Sequence, residues 1–266
     1  MFSSSRAGRY QQGSFSKNRA GKSTSKKRSS FHQGSMMKGI ETLSPSQAQH
    51  TPPVGTNLTS AIITLCVGHE KRLFAAHEDV LCHSPFFQAA CRGQFLQNGA
   101  KRLDLPEEVP EIFSSVLEYL YKGDYSPRLE YDKKRRTWHI QSADGGVPDG
   151  TLYYQRWGPV LKDTIIYCAA ERYSLPELKR LSLKKQGLQT GIACSTLLSS
   201  ARFAYDNTPE SDSKLRAHYL ALIIRSRQTF KRSGTMQQEM TNGGRLFFDL
   251  FVAMANHMDD IKSPHF

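Results

Sequence analysis

Ala61-Ile62-Ile63-Thr64-Leu65-Cys66-Val67, then Gly68-His69-Glu70-Lys71, then Arg72-Leu73-Phe74-Ala75, reads as a strand, a polar turn and a returning strand. The first segment is rich in β-branched residues, and Ile63, Leu65 and Val67 fall on one face of it. Two such runs joined by a short polar turn predict a hairpin. Downstream, Ser84-Pro85 supplies an N-cap and a first-turn proline for a short helix, with Phe86, Phe87, Ala90 and Cys91 at helical spacing. Lys101-Arg102-Leu103-Asp104-Leu105 alternates as a third strand. Pro110 then opens a helix carrying Ile112, Phe113, Val116, Leu117, Leu120 and Tyr121 on one stripe, with Gly123 as its left-handed cap.

Outward from this block the character changes on both sides. On the C-terminal side, residues 124–160 hold a charge run, Asp132-Lys133-Lys134-Arg135-Arg136, among Tyr131, Trp138, Tyr153, Tyr154 and Trp157, with Gly145-Gly146 and Pro148 between. That mixture predicts an inserted loop or irregular hairpin. Helical spacing resumes at Leu161, Ile165, Cys168 and Ala169, and Ser174-Leu175-Pro176-Glu177 has the spacing of a capping box ahead of Leu178, Leu181 and Leu188. The last third reads as helices over Ile192–Tyr205, Ser213–Arg225 and Leu246–His257, broken at Asn207-Thr208-Pro209 and Asn242-Gly243-Gly244. The final segment carries Leu246, Phe247, Leu250, Phe251, Met254 and Met258, a stripe too wide to leave in water, so this extension is expected to pack against the preceding domain.

On the N-terminal side, residues 1–57 are rich in Ser, Gly, Gln and Lys/Arg and poor in aliphatics. Burial there cannot offset roughly 1–2 kcal/mol per residue of backbone ordering entropy, so a disordered basic tail is expected. Nine Lys/Arg against Glu41 alone give this segment +8 of the chain's net +12, leaving residues 58–266 at an ordinary +4. Ala20-Gly21-Lys22-Ser23 imitates the end of a phosphate loop, but Ser16 stands where the first glycine belongs and no strand precedes it. The tail has few aromatics and no folded reader. At most weak, nonspecific contact with nucleic acid is expected from it, and Lys26-Lys27-Arg28 is the candidate nuclear-import cluster.

Other classes are excluded on composition and motif. No run of 18 apolar residues exists to span a membrane, and Met1 to Tyr10 lacks the apolar core of a secretory signal, which predicts an intracellular chain, in nucleus or cytoplasm. The five cysteines (Cys66, Cys82, Cys91, Cys168, Cys194) contain no CxxC pair and read as small buried groups, with no metal or cofactor expected. No HExxH, GxSxG or complete Walker motif occurs, and Cys82-His83 has no acid at a useful spacing, so no catalytic residue is expected.

Two ordered stretches resemble the BTB/POZ family. The first runs through Thr64-Leu65-Cys66-Val67-Gly68, Phe74-Ala75-Ala76-His77, Val80-Leu81 and Ser84-Pro85-Phe86-Phe87. The second runs from Leu103-Asp104-Leu105-Pro106-Glu107-Glu108-Val109-Pro110-Glu111-Ile112-Phe113 to Leu117-Glu118-Tyr119-Leu120-Tyr121-Lys122-Gly123. The resemblance spans about 57–125 and resumes over 161–188. Residues 124–160 depart from it by a long insertion of the kind seen in fungal members. The tail from Phe203 to Ile261 resembles the segment that those members carry C-terminal to the domain. The resemblance implies an α+β fold, a small three-stranded sheet covered by a helix cluster, over residues 58–190, with an all-helical extension over 191–266.

The resemblance also implies a function in protein–protein interaction without catalysis: homodimers, substrate adaptors of cullin-based ubiquitin ligases, or co-regulator platforms in the nucleus. The signature positions are Val67, Gly68, Phe74, His77, Ser84, Phe86 and Phe87, with His77 joining the hairpin to the first helix. In the adaptor branch, a hydrophobic residue, any residue, then Glu precede the third strand. Here the match is Phe95-Leu96-Gln97, an amide where the carboxylate belongs. Exchanging a charge-assisted hydrogen bond of about 1.5–3 kcal/mol for a neutral one of about 1 weakens a cullin contact about tenfold. The partners expected are therefore a second copy and other proteins, with a cullin scaffold left open and no membrane.

Overall fold

The computed structural model describes residues 59–92, 101–141 and 150–262. Strand β1 (Ile62–Val67) pairs antiparallel with β2 (Arg72–His77), in register from Ile62↔His77 to Val67↔Arg72. β3 (Arg102–Leu105) pairs parallel on the other side of β1, giving the order β2-β1-β3. A parallel neighbour needs a crossover, and the connection includes α1 (Glu78–Leu81) and α2 (Pro85–Arg92). Side chains alternate across the pleat. Ile63, Leu65 and Val67 therefore share the core face with Ala76, Leu103 and Leu105, all buried.

Helix α3 (Pro110–Lys122) lays Ile112, Phe113, Val116 and Leu120 into that core and ends on Gly123 at φ 73°. Among the described residues, the segment read as an inserted loop or irregular hairpin holds two hairpins. β4 (Leu129–Asp132) pairs with β5 (Thr137–Ile140), and β6 (Thr151–Tyr154) with β7 (Gly158–Leu161). β7 runs straight into α4 (Lys162–Arg172), the most enclosed element, in which every residue from Asp163 to Ala170 is buried. A helix covered all round needs neighbours all round. α5 (Pro176–Leu188), α3, β7 and α6 (Cys194–Asn207) supply them.

The capping box at Ser174 does not form. Ser174 is left-handed at φ 55° and closes the end of α4, and the Leu175 N–H bonds Ala170 O at 2.8 Å. One residue cannot be both the left-handed terminator of one helix and the extended cap of the next. Leu175 therefore occupies the cap position, Pro176 begins α5, and the Glu177 carboxylate accepts from Arg180 at 2.8 Å.

The extension continues through α7 (Lys214–Arg225), α8 (Arg227–Lys231), α9 (Gly234–Asn242) and α10 (Arg245–Lys262). The two short helices α8 and α9 are not legible as separate segments in the sequence. The extension and the preceding domain share one hydrophobic cluster, from Ile63 to Leu250. The expected burial of the last helix is only partly met. Leu246 and Leu250 are buried, but from Phe251 to Ile261 no residue is.

Candidate partner-binding surface

Of the signature positions, most serve the fold. Val67 is fully buried at the end of β1. Gly68 turns the chain at φ 77°, its N–H bonds Leu105 O at 2.9 Å, and a Cβ there would stand 3.1 Å from Glu108 O and 3.2 Å from Pro110 Cδ. Both the left-handed backbone and the close approach demand glycine. Gly68→Ala is therefore expected to cost about 1–3 kcal/mol, read as a lowered urea midpoint at unchanged slope.

Ser84 Oγ donates to Tyr173 O at 2.7 Å and accepts the Phe87 N–H at 3.3 Å, so one hydroxyl caps α2 and ties it to the end of α4. Phe87 stacks on Tyr173 with centroids 4.8 Å apart. Phe113 meets Tyr173 edge-on at 6.4 Å, Phe74 meets Phe113 at 5.3 Å, and Phe86 meets Tyr173 at 5.3 Å. Edge-to-face and offset geometries of this kind add to the burial of the rings themselves.

His77 occupies the cap position of α1 but makes no side-chain cap bond. Its backbone N–H donates to Tyr121 Oη at 2.9 Å, and its Nδ1 lies 2.8 Å from the same oxygen. His77 thus joins the hairpin to α3 as well as leading into the first helix.

The remaining face of the sheet points away from the core. Register places Ile62, Thr64 and Cys66 on it, opposite His77, Ala75 and Leu73, with Arg102 and Asp104 alongside. Ile62 is 58% exposed and Leu73 64%, and Arg102 pairs with Asp104 at 3.0 Å. Phe86, 40% exposed on α2, is the ring through which the aromatic cluster opens most to solvent. Ile62, Leu73 and Phe86 are the exposed large apolar side chains of the sheet and of the two helices that follow β2. Phe95, Leu96 and Gln97, and the Lys26, Lys27, Arg28 cluster, lie outside the described residues.

The aromatics of the insertion are mostly committed inward. Tyr131 and Trp138 form a cross-strand pair at 5.1 Å, and Lys184 Nζ of α5 sits 3.6 Å over the Trp138 ring. Trp157 packs edge-on to Phe203 at 5.0 Å and donates to Asp206 Oδ2 at 2.9 Å. Tyr153 alone of the group stands 78% exposed. The Asp132 carboxylate accepts the Lys134 and Arg135 N–H groups at 2.8 and 3.1 Å, so the charge run is an ordered, solvated turn.

Lys185 fastens the base of the insertion. Its side chain is 1% exposed. The ammonium bonds Asp124 Oδ1 at 2.5 Å, Pro127 O at 2.7 Å and Tyr125 O, and lies 3.5 Å over the Tyr125 ring. Burial pushes its pKa down, against the pull of Asp124. Beside it, Asp163 accepts from Tyr125 Oη at 2.6 Å and from Gln189 Nε2. Burial raises the Asp163 pKa, opposed by the Tyr125 hydroxyl and the Lys185 charge.

The cysteines are all free thiols, three of them buried. Burial lifts Cys91 to about 11 and Cys168 to about 12, which leaves them protonated and unreactive at neutral pH. Among the described residues no group of three His, Cys, Asp or Glu side chains could hold a metal ion, and no helix is long and apolar enough to cross a membrane.

The family model for the BTB/POZ domain matches residues 61–135, from the residue before β1 to the turn of the first inserted hairpin. The chain carries a BTB/POZ domain. The three-stranded sheet with its covering helices, followed by helices to the end of the described chain, is the fold of that domain with a helical region after it. BTB/POZ domains are in general protein–protein interaction modules rather than enzymes, and they associate with themselves and with other proteins. No curated protein matches the chain.

Proposed function

We propose that this chain is a non-catalytic scaffold or adaptor that homodimerises through the outer face of its BTB/POZ sheet and the early helices. The observation that carries the reading is the exposure of Ile62 and Leu73, 58% and 64%, on the one sheet face turned from the core. β1 is paired on both edges, so it contributes side chains to a dimer rather than a new strand. Isolated exposed aliphatics are ordinary on any surface. Two large ones on one face, at opposite ends of the β1–β2 pair with Thr64 and Ala75 between them and the mixed charges of Arg102 and Asp104 alongside, give a partner apolar contacts within a polar border, the usual layout of an interface.

The test is the mass in solution of the full chain against Ile62→Glu/Leu73→Glu. Both positions are exposed, so circular dichroism is expected to stay unchanged while the mass falls by half. Equal masses for the two proteins would remove the sheet face from the dimer.

A further inference from the structure

Helix α10 carries a second apolar surface, remote in sequence from the BTB/POZ domain. Phe248, Phe251, Val252, Met254, Met258 and Ile261 are exposed by 68, 71, 40, 38, 52 and 62%. Between Leu250 and Met258 there is no Lys, Arg, Asp or Glu. A solvated helix normally interrupts such a run with charge.

The spacing of these residues is not random. Phe247, Phe251, Met254, Met258 and Ile261 follow one another at steps of four, three, four and three. This is the 3.5-residue repeat by which one helix presents a continuous seam to another helix. The first position is taken up at home: Phe247 is half-buried and Arg202 lies over its ring at 5.8 Å. The other four face outward, flanked by Phe248 and Val252.

We infer that α10 is a self-association helix, its seam from Phe251 to Ile261 packing against the same seam of a second copy of this chain. Two arguments select that occupant. The first is area. With aromatic side chains burying about 150–250 Å² each, the exposed fractions amount to about 600 Å² per copy. A pair of copies then removes about 1,200 Å², the lower end of stable, specific interfaces, and the roughly 600 Å² on each copy is at the top of the about 300–600 Å² that a monomer leaves open in one patch. The second is pattern. A heptad seam is matched by another heptad seam, whereas residues 1–57 of this chain, rich in Ser, Gly and Lys, offer no apolar stripe to lay on it.

This surface is separate from the sheet face of the BTB/POZ domain, and neither depends on the other. The experiment is sedimentation of the full chain as wild type, as Phe251→Glu/Met258→Glu and as Phe251→Lys/Met258→Lys, each alone and the two variants mixed. Each variant alone is expected to have half the wild-type mass with unchanged helicity, because like charges then face each other. The equimolar mixture is expected to regain the wild-type mass, because opposite charges now meet across the seam.

Unchanged mass in the single variants would overturn the inference, as would a loss of mass that mixing fails to restore. If Ile62→Glu/Leu73→Glu alone leaves the mass unchanged while the α10 variants halve it, the sheet reading fails and this one stands. The reverse outcome separates them the other way.

Discussion

Lys185→Met is expected to destabilise the chain by about 3 kcal/mol, among the largest effects of any single polar substitution in it. The ammonium is 1% exposed and serves Asp124 and two backbone carbonyls, those of Tyr125 and Pro127. Methionine matches the volume of the stem but returns nothing to these acceptors. A buried charge left without its partner costs about 3–5 kcal/mol, and a carbonyl left without a donor about 1–3. Asp124 keeps some access to water, with 23% of its side chain exposed, which holds the total towards the lower figure.

The measurement is urea unfolding followed by tryptophan fluorescence, because Trp138 sits on the hairpin that Lys185 secures and lies under the neighbouring Lys184. A midpoint within experimental error of wild type would mean that the ammonium contributes no more than a hydrophobe. The shift in its pKa fixes the sign of the pH dependence. The folded state lowers the Lys185 pKa, so the folded form binds the proton less readily than the unfolded chain does. This contribution favours folding most above the ordinary lysine pKa and is lost as pH falls through the folded value. Lys185→Met is therefore expected to do relatively less harm near neutral pH than at about pH 10.

Phe87→Ala is expected to cost about 3–5 kcal/mol, the range for removing a large buried aromatic. Its ring is fully buried, stacked 4.8 Å from Tyr173 and edge-on to Phe113 at 6.2 Å. The cavity opens where α2, α3 and the end of α4 are held together by these rings and the Ser84 hydroxyl. Phe86→Ala is the informative companion. Phe86 is 40% exposed, so its truncation is expected to cost about 1 kcal/mol or less while thinning the available partner surface. Thermal unfolding of the two variants side by side checks the contrast. Equal losses would show that the cluster does not divide into a core ring and a surface ring.

The same contrast marks how far a string of letters can be read. The dipeptide Phe86-Phe87 reads as two helical aromatics, and helical spacing alone does not say which one turns inward. The β-branched run at Ile62–Val67 and the stripe from Ile112 to Tyr121 are readable because each repeats one period many times, and a repeated period dictates which face is buried.

Ser174 misleads because two competing roles share the same residue type, and left-handed geometry leaves no mark in the sequence. Lys185 is invisible for a different reason. A lysine in a Lys-Lys pair on a helix reads as solvated, and only the hairpin folding back over α5 converts it into a buried donor. The α10 stripe is plain in the sequence, but width alone does not guarantee burial. The nearby helices cover only its first turns, at Leu246 and Leu250.

The order β2-β1-β3 has a consequence for how this protein behaves when concentrated. Among the described residues both outer strands of the sheet lack a neighbour, and unpaired strand edges invite addition of foreign strands. What guards them is charge: Arg72 with Glu111 at 3.6 Å on one side, and Lys101 with Glu78 at 3.5 Å and Arg102 with Asp104 at 3.0 Å on the other. Every one of these pairs stands in solvent, where dissolved ions mask it over about 8 Å at physiological strength and over about 3 Å in molar salt. The protection is therefore a property of the buffer as much as of the chain. Dilute electrolyte keeps the two strand edges guarded, and brine disarms the guard.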